Sequence, residues 1–340
     1  MDIGLVLQGG GALGAYEWGS VSRLVEAGMR PVAITGVSIG AINTAVIAGA
    51  KGGDIVASLD ALWKAITLRA VPFMPAQAQA ELSLFGNPRF FRPRTDIWAM
   101  TRWPSFYSVD PMRDTLNEIV DFGRLNDLRL HKVAVTATRV RDGMGLSFAN
   151  TEYRLDARHI LASGSLPPGF PMTEIDGEFY IDGGVFSNTP LDQLLAMLDD
   201  SQLDTLPIFM LDLFPAKDAT PSNILQIQNR MKEITYENRI EAEYGGATGL
   251  DAHGKMVRLL AEATKDNPEL AKNQTVKAFL RQRAYANVNV IQAPHAPFSG
   301  DHDFSYDGVM QRYARGRDAA EAWLKASTRT TAPRRSRKAA

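Results

Sequence analysis

A serine stands at the centre of Gly36–Gly40, a stretch that follows the G-x-S-x-G pattern. An apolar run precedes this serine and a helix-forming run follows it, so the pattern predicts a sharp turn between a strand and a helix. Gly36 and Gly40 would relieve crowding in that turn, and Ser38 would stand at the helix N-terminus, where the dipole favours an alkoxide. The alternative is a small residue selected for close strand–helix packing. We interpret Ser38 as a nucleophile.

Three consecutive glycines begin the stretch Gly9–Gly14, which follows the first predicted strand and opens a helix. Backbone without Cβ atoms can turn sharply and direct its N–H groups at an anion. One interpretation is a dinucleotide site, but that fold places an acidic residue at the end of its second strand, and Ile34–Ser38 contains none. The other interpretations are an oxyanion hole for acyl transfer and a plain tight turn. Three glycines in a row exceed what a turn requires, so we favour the oxyanion hole.

A nucleophilic serine needs a proton acceptor, and histidine is the usual one. The chain has five histidines, none beside a supporting motif at a strand end, and they are His131, His159, His253, His295 and His302. Only His295 and His302, in the loop 294–303, come late enough for a triad in the order Ser–Asp–His. The triad therefore stays open as an alternative that depends on these two residues.

Asp182 offers a second kind of acceptor. It follows the short apolar strand predicted at Phe179–Ile181, and Gly183 and Gly184 after it would let the backbone approach another element. An ordinary Asp-Gly-Gly turn is the alternative. Burial beside Ser38 would raise the pKa of Asp182 above its usual value of about 3.9. Together with the other two motifs, this aspartate is interpreted as the base.

The order of the motifs resembles that of the patatin-like phospholipases. This family has a G-G-G-x-x-G loop, a G-x-S-x-G turn, a proline-containing block and a D-G-G or D-G-A triplet. The third block here is Ala162–Pro168, and the matching blocks extend from about Ile3 to Pro190. Further on, Asp303–Ser305 and the closing helix resemble bacterial members.

The resemblance implies a Ser38–Asp182 dyad with no catalytic histidine. It assigns oxyanion stabilisation to the glycine loop, foremost to the backbone N–H groups of Gly10 and Gly11. The full set of oxyanion-hole candidates is Gly9, Gly10, Gly11, Ala12, Gly14 and Ile39. Many members have an arginine or lysine where this chain has Leu13, so a cation that could support the oxyanion is missing.

Alternating strands and helices must position these residues. The predicted strands are Ile3–Leu7, Val32–Thr35, Lys132–Thr138, Phe179–Ile181, Ile208–Leu213 and Val288–Ile291. The predicted helices are Ala15–Ala27, a run up to Ala48, Asp54–Leu68, Asp156–Ser163, Leu191–Leu198, Asn223–Tyr244, Val257–Ala263, Thr275–Ala284 and Tyr306–Lys325. This order predicts an α/β fold, with a mostly parallel central sheet flanked by helices on both faces, and the resemblance implies a patatin-like three-layer sandwich.

One domain over residues 1–326 is the simplest organisation, with a helical C-terminal part at 221–326. The stretch 71–109 interrupts the α/β rhythm with prolines, eight aromatic residues and four arginines, so it is predicted to be an irregular insertion. It is either a lid or acyl-binding wall at a lipid–water boundary, or a packed loop that covers the core. The basic tail 327–340 is predicted to be disordered.

Composition excludes several kinds of chemistry. The 340 residues contain no cysteine, which rules out disulfides, thiolate catalysis and iron–sulfur clusters. Lys and Arg number 37 against 38 Asp and Glu, so we expect no nucleic-acid partner. We see no signal peptide or transmembrane segment, and we expect a cytoplasmic protein in transient contact with a membrane surface at most.

We therefore predict a serine hydrolase of phospholipids or related lipid esters that uses no metal and no cofactor. Two other classes stay open. The first is a nucleotide-dependent oxidoreductase, but the acidic residue that would bind the ribose is missing. The second is a catalytically silent lipid-binding protein, but such a protein would not need both the serine and the aspartate.

Overall fold

The computed structural model describes residues 1–214, 244–294 and 300–331, with single residues at 220, 221, 227, 230, 231 and 234. Within them, the strands are β1 (Asp2–Leu7), β2 (Arg30–Val37), β3 (Arg92–Pro93), β4 (Tyr107–Ser108), β5 (Lys132–Arg139), β6 (Gly145–Ala149), β7 (Thr173–Ile175), β8 (Glu178–Asp182), β9 (Ile208–Asp212) and β10 (Val288–Gln292). The helices are α1 (Ala15–Glu26), α2 (Ile39–Ala48), α3 (Ile55–Ile66), α4 (Ala76–Leu82), α5 (Asp110–Ile119), α6 (Phe122–Leu125), α7 (Ala157–Ser163), α8 (Leu191–Met197), α9 (Asp200–Thr205), α10 (Ala247–Thr264), α11 (Pro268–Lys272), α12 (Gln274–Leu280) and α13 (Tyr306–Thr331).

A central sheet has the strand order β10-β9-β1-β2-β5-β8-β7, and β6 pairs with β5 beside this path. Strands β10, β9, β1, β2 and β5 run parallel, whereas β6, β7 and β8 pair antiparallel. Because side chains alternate along a strand, β1 directs Leu5 and Leu7 into a core with α1, α2 and α3, and Val6 into a second core with α8. The predicted fold class, a mostly parallel α/β sheet with helices on both faces, is confirmed.

The structure differs from the predicted elements in several places, and helices α5, α6 and α9 are among the unpredicted elements. The insertion 71–109 is not wholly irregular, since it contains α4 and the two-stranded β3–β4 ribbon. Strands β6 and β7 were not predicted, because short antiparallel strands with small or polar residues carry little pattern of their own. Helix α13 continues to Thr331, so the first residues of the predicted disordered tail are helical, and 332–340 lie outside the described residues. The helix predicted at Asn223–Tyr244 falls almost entirely on residues that the structure does not describe.

The C-terminal part is built onto the same sheet. Strand β10 pairs with β9 at its edge, and α13 lies against α1. A Cβ atom on Gly19 of α1 would come within 2.0 Å of the Tyr313 carbonyl oxygen, and one on Gly316 of α13 within 2.1 Å of the Tyr16 carbonyl oxygen. The two glycines therefore let the backbones of α1 and α13 come into contact. This contact fixes α13 relative to the loop Gly9–Gly14, which directly precedes α1.

Candidate active site

Ser38 occupies a strained turn between β2 and α2. Its φ of 54° and ψ of −119° lie where residues other than glycine are rarely found. A Cβ atom on Gly36 would lie 2.2 Å from the Gly40 carbonyl oxygen, and one on Gly40 would lie 2.5 Å from the Leu7 carbonyl oxygen. Both glycines are therefore required for steric reasons, as the G-x-S-x-G pattern predicted.

A second serine holds this turn in place. The backbone N–H of Ser38 donates to the Ser163 hydroxyl over 3.0 Å, and that hydroxyl donates to the Thr136 carbonyl over 2.6 Å. Ser163 is buried at the end of α7 and belongs to the block Ala162–Pro168. Sequence reasoning named this block but gave it no role, and the role is to join the turn to β5.

The strand register explains why Asp182 meets Ser38. Strand β2 ends with Val37 paired to Thr136 of β5, and β8 ends with Asp182 paired to the next residue, Ala137. Because β2 runs parallel to β5 and β8 runs antiparallel, the C-terminal ends of β2 and β8 meet at consecutive positions of β5. The side chains that follow or end these strands are thereby brought together.

The Asp182 side chain is buried, with 4% of its surface exposed; it accepts a hydrogen bond from the Gly184 backbone N–H over 2.7 Å and interacts with the nearby Ser38 hydroxyl. Burial raises the pKa of Asp182 to about 6, although the Ser38 hydroxyl and the Gly184 N–H oppose the rise because both stabilise the carboxylate. Position 183 must be glycine for a steric reason, since a Cβ atom on Gly183 would lie 2.3 Å from the Thr136 carbonyl oxygen.

The structure narrows the set of oxyanion candidates in the glycine loop. The N–H of Gly9 donates to the Asn188 amide oxygen over 2.9 Å, and the N–H of Ala12 donates to the Asp301 carbonyl over 2.7 Å. Including Gly9 and Ala12 as donors was therefore wrong for this conformation, because distant segments of the chain take both N–H groups. Asn188 forms a reciprocal pair, since its amide group donates back to the Gly9 carbonyl.

Three of the predicted N–H groups are left without an acceptor among the described residues: those of Gly10, Gly11 and Ile39. The loop lies directly against the nucleophile, because a Cβ atom on Gly9 would be 3.0 Å from the Ser38 Cβ. Gly14 has a packing role instead, since a Cβ atom there would lie 2.7 Å from the Ile39 side chain. Gly11 has a φ of +53°, a left-handed conformation that favours glycine.

A buried glutamate ties the loop to the nucleophile helix. Glu17 of α1 is fully buried, accepts a hydrogen bond from the Asn43 amide over 2.8 Å, and has a second carboxyl oxygen that finds no partner in the described parts of the chain. Asn43 of α2 also donates to the Gly14 carbonyl and accepts from the Trp63 indole. Burial raises the pKa of Glu17 well above its usual range, so its uncharged form is favoured.

The four described histidines have neighbours other than Ser38. His131, His159 and His253 contact, in that order, the Arg124 carbonyl, the Asp156 carboxylate and the Gln282 amide. His302 Nδ1 lies 3.7 Å from an Asp301 carboxylate oxygen. His295 lies outside the described residues.

The described residues offer neither a membrane-spanning helix nor a metal-binding cluster. No described helix combines the length and the apolar character needed to cross a membrane. The same residues contain no cluster of three or more potential metal-binding side chains.

Comparison with known proteins agrees with the motif order. The sequence model of the family described as patatin-like phospholipase matches residues 5–195, which run from β1 into α8 and include all four motifs. Among solved structures, VipD from Legionella pneumophila aligns with 95% of this chain and 67% of its own, at 16% identity and a TM-score of 0.45. No curated protein matches significantly. Because the family match covers more than half of the sequence, the chain belongs to the patatin-like phospholipase family.

Proposed function

We propose that this protein is a serine lipid acyl hydrolase, in which Ser38 and Asp182 form a catalytic dyad and an acyl-enzyme is the intermediate. Family membership indicates a hydrolase of lipid esters in general. The observation that carries the finer proposal is that β2 and β8 end at consecutive residues of β5, which brings the Ser38 hydroxyl beside the buried Asp182 carboxylate. This arrangement joins a strained nucleophile to a carboxylate that has no neutralising cation among the described residues.

The raised pKa of Asp182 suits a base that works near neutral pH. With a pKa of about 6, the carboxylate is mostly ionised at pH 7 and yet is a stronger base than a solvated aspartate. As Ser38 Oγ attacks the ester carbonyl carbon, its proton passes to Asp182, which then returns the proton to the leaving alcohol. A water molecule repeats the cycle on the acyl-enzyme and releases the acid.

The negative charge that develops on the carbonyl oxygen would be stabilised by backbone N–H groups. Gly10, Gly11 and Ile39 supply donors that are not used elsewhere in the described structure, and Ile39 also begins α2, whose dipole is positive at this end. Removal of one such donor from well-studied enzymes costs about 2.7–4 kcal/mol. Because Leu13 stands where many family members have a cation, we expect these amides to supply the electrostatic stabilisation of the oxyanion.

A fluorophosphonate probe with intact-mass detection tests the assignment. The wild-type protein should gain one label on Ser38, Ser38→Ala should gain none, and Asp182→Asn should label at least a hundredfold more slowly. Ser201→Ala is the matched control, since Ser201 lies on the surface in α9 and should not affect labelling. Label on a residue other than Ser38 would refute the assignment.

Labelling, esterase and ligand-binding assays together separate the alternative functions. Loss of labelling and of esterase activity in His295→Ala or His302→Ala, with a wild-type melting temperature, would favour a Ser–Asp–His triad. A wild-type protein that binds lipid but neither labels nor hydrolyses any ester would indicate a silent lipid-binding protein. Tight binding of a nicotinamide dinucleotide would favour the oxidoreductase.

The insertion 71–109 is hydrogen-bonded to a loop that begins beside this site. Phe106 donates its backbone N–H to the Pro168 carbonyl, and Tyr107 donates to the Gly169 carbonyl. Those two acceptors belong to the loop after α7, at whose start a Cβ atom on Gly164 would lie 3.8 Å from the Ser38 Cα. The ribbon β3–β4 is thereby tied to the loop that begins next to the nucleophile.

We propose that this insertion contacts the lipid surface. Its Phe73, Phe85 and Trp98 are the three most exposed large apolar side chains among the described residues, and four arginines accompany two acidic residues in the insertion. Exposed aromatic rings beside arginine suit the boundary between lipid headgroups and acyl chains. Other aromatic rings of the insertion, those of Phe90 and Phe91, are buried in the core, so one segment has a packed side and an exposed side.

A triple variant, Phe73→Ser, Phe85→Ser and Trp98→Ser, tests this contact. We expect at least a tenfold loss of binding to vesicles of phosphatidylcholine and phosphatidylglycerol, and of hydrolysis of those vesicles, while kcat/KM for a soluble short-chain nitrophenyl ester stays within twofold. Leu259→Ser is the control, because Leu259 of α10 is nearly as exposed but lies far along the chain from the insertion. Equal losses with both substrates, or no loss of vesicle binding, would refute the contact.

A further inference from the structure

The outer side of the glycine loop rests on a segment almost 300 residues later in the chain. The Ala12 N–H donates to the Asp301 carbonyl over 2.7 Å. The same oxygen would lie 2.3 Å from a Cβ atom on Gly11, which is held at a φ of +53°. The Asp301 carbonyl thus fills the space beside Gly11 and bonds its neighbour, so its position limits how this part of the loop can turn.

One buried arginine fixes the backbone around that carbonyl. Arg312, only 4% exposed, donates from Nη1 to the Asp303 carbonyl over 2.8 Å and from Nη2 to the Gly300 carbonyl over 3.2 Å. It therefore holds the residues on both sides of Asp301. Its Nη2 also lies 3.4 Å from an Asp303 carboxylate oxygen, which makes the pair a buried ion pair.

Asp303 is oriented in turn by its own surroundings. It is buried, and one carboxylate oxygen accepts hydrogen bonds from the backbone N–H and the hydroxyl of Ser305. A Cβ atom on Gly308 would lie 2.2 Å from the other oxygen, so only glycine leaves room for the carboxylate. The contacts of the pair therefore leave it little freedom to change geometry.

The segment has other anchors that do not involve this ion pair. Phe304 donates its backbone N–H to the Ser83 hydroxyl and accepts from the Leu68 N–H, and its ring packs against Trp63 and Phe90. Burying an ion pair costs desolvation energy that its attraction does not reliably recover. Stability of the fold alone thus gives no clear reason for the pair.

We propose that Arg312 and Asp303 are positioning residues for the oxyanion hole: they hold the Asp301 carbonyl against Gly11 and Ala12, so that the N–H groups of Gly10 and Gly11 face the reacting carbonyl oxygen. The inference rests on the proposed hydrolase function. Neither residue touches the substrate. They act through the Asp301 carbonyl, which limits the conformation of the glycine loop. The glycines of this loop have no side chains that could fix that conformation.

Two conservative variants test the inference. Arg312→Lys keeps the charge but replaces the planar fork that reaches two carbonyl oxygens, and Asp303→Asn keeps the size but removes the charge. Arg317→Lys is the matched control, since Arg317 lies on the same helix and pairs with Glu26 at the surface.

The assays are hydrolysis of 4-nitrophenyl butyrate and inhibition by an aryl trifluoromethyl ketone. In the ketone adduct, Ser38 Oγ bonds to the carbonyl carbon, the proton passes to Asp182 and the carbonyl oxygen becomes the oxyanion.

Displaced oxyanion donors should lower kcat by about 10- to 100-fold and leave KM within twofold. The inhibition constant of the ketone should rise by the same factor as kcat falls, and the lower limb of the pH profile should stay in place because Asp182 is untouched. Arg317→Lys should match the wild type in every assay. Unchanged kcat and ketone affinity in a folded variant, or a raised KM with unchanged kcat, would overturn the proposal.

Amide hydrogen exchange covers the case in which a variant does not fold. In the wild-type protein, the Ala12 amide should be strongly protected, and exchange at the rate of a free surface amide would overturn the proposal without any variant. A wild-type protein that neither labels with fluorophosphonate nor hydrolyses any ester would instead contradict the proposed function, and the exchange result would still report on the contact itself.

Discussion

Replacement of Asp182 by asparagine should remove activity and stabilise the fold at the same time. Asparagine has nearly the same shape, and its amide oxygen can still accept from the Gly184 N–H, but the amide group cannot take the Ser38 proton. General-base catalysis typically contributes about 10²–10⁴-fold. We therefore expect kcat/KM for a soluble ester to fall by at least about a hundredfold.

The stabilisation follows from the pKa. Burial raises the pKa of Asp182 from 3.8 to about 6, so the folded protein binds this proton more tightly than the unfolded chain does. The free energy of unfolding consequently decreases as the pH rises from 3.8 to about 6, and the whole penalty is present above that range. Roughly two pKa units at 1.36 kcal/mol each give about 3 kcal/mol as an upper value. Asparagine carries no charge and escapes this penalty.

Urea unfolding at a series of pH values, measured beside the pH profile of kcat/KM, checks both halves of the prediction. Asp182→Asn should be up to about 3 kcal/mol more stable than the wild type at pH 7.5 and should lose that advantage near pH 4. Wild-type kcat/KM should fall about tenfold per unit below pH 6. Three results would refute the reasoning: wild-type activity in the variant, a wild-type kcat/KM profile whose acidic limb has its midpoint near pH 4, or a variant less stable than the wild type at pH 7.5.

Three further changes have defined outcomes. Gly40→Ala should abolish activity and lower the melting temperature, because its Cβ would meet backbone oxygen at 2.5 Å, and thermal unfolding beside an ester assay measures both effects. Ser163→Ala should lower the free energy of unfolding by about 1–3 kcal/mol and kcat about tenfold, since the Ser38 N–H and a buried carbonyl lose their partner; urea unfolding and steady-state kinetics measure this. Glu17→Gln should raise the free energy of unfolding at pH 8 but not near pH 4, because the raised pKa of Glu17 means that ionisation opposes folding as the pH increases; urea unfolding at both pH values measures this.

Controls make these outcomes specific. Gly28→Ala adds a Cβ in open space at a φ of +83°, so it should cost only dihedral strain and leave kcat unchanged. An active Gly40→Ala, a Ser163→Ala with wild-type stability, or a Glu17→Gln whose stability relative to the wild type is the same at both pH values would each contradict the contact on which that prediction rests.

The sequence by itself determined the features that depend on near neighbours in the chain. The turn at Ser38 was predictable because the glycines that make it possible stand two residues away, and their clashes are with backbone of the same turn or of the strand beside it. The alternation of strands and helices likewise follows from local periodicity and helix caps, so the class of fold was predictable. The order of the four motifs was sufficient to indicate the family.

Only the tertiary structure decided which groups meet. Ser38 and Asp182 are 144 residues apart, and they come together because β2 and β8 end at consecutive residues of β5, a register that no local pattern encodes. The oxyanion candidates show the same limit. Five residues of the glycine loop were candidates together with Ile39, but Asn188 and the Asp301 carbonyl take the N–H groups of Gly9 and Ala12. A backbone N–H carries no sign in the sequence of where its acceptor lies, because that acceptor is a backbone or amide oxygen brought in by long-range packing.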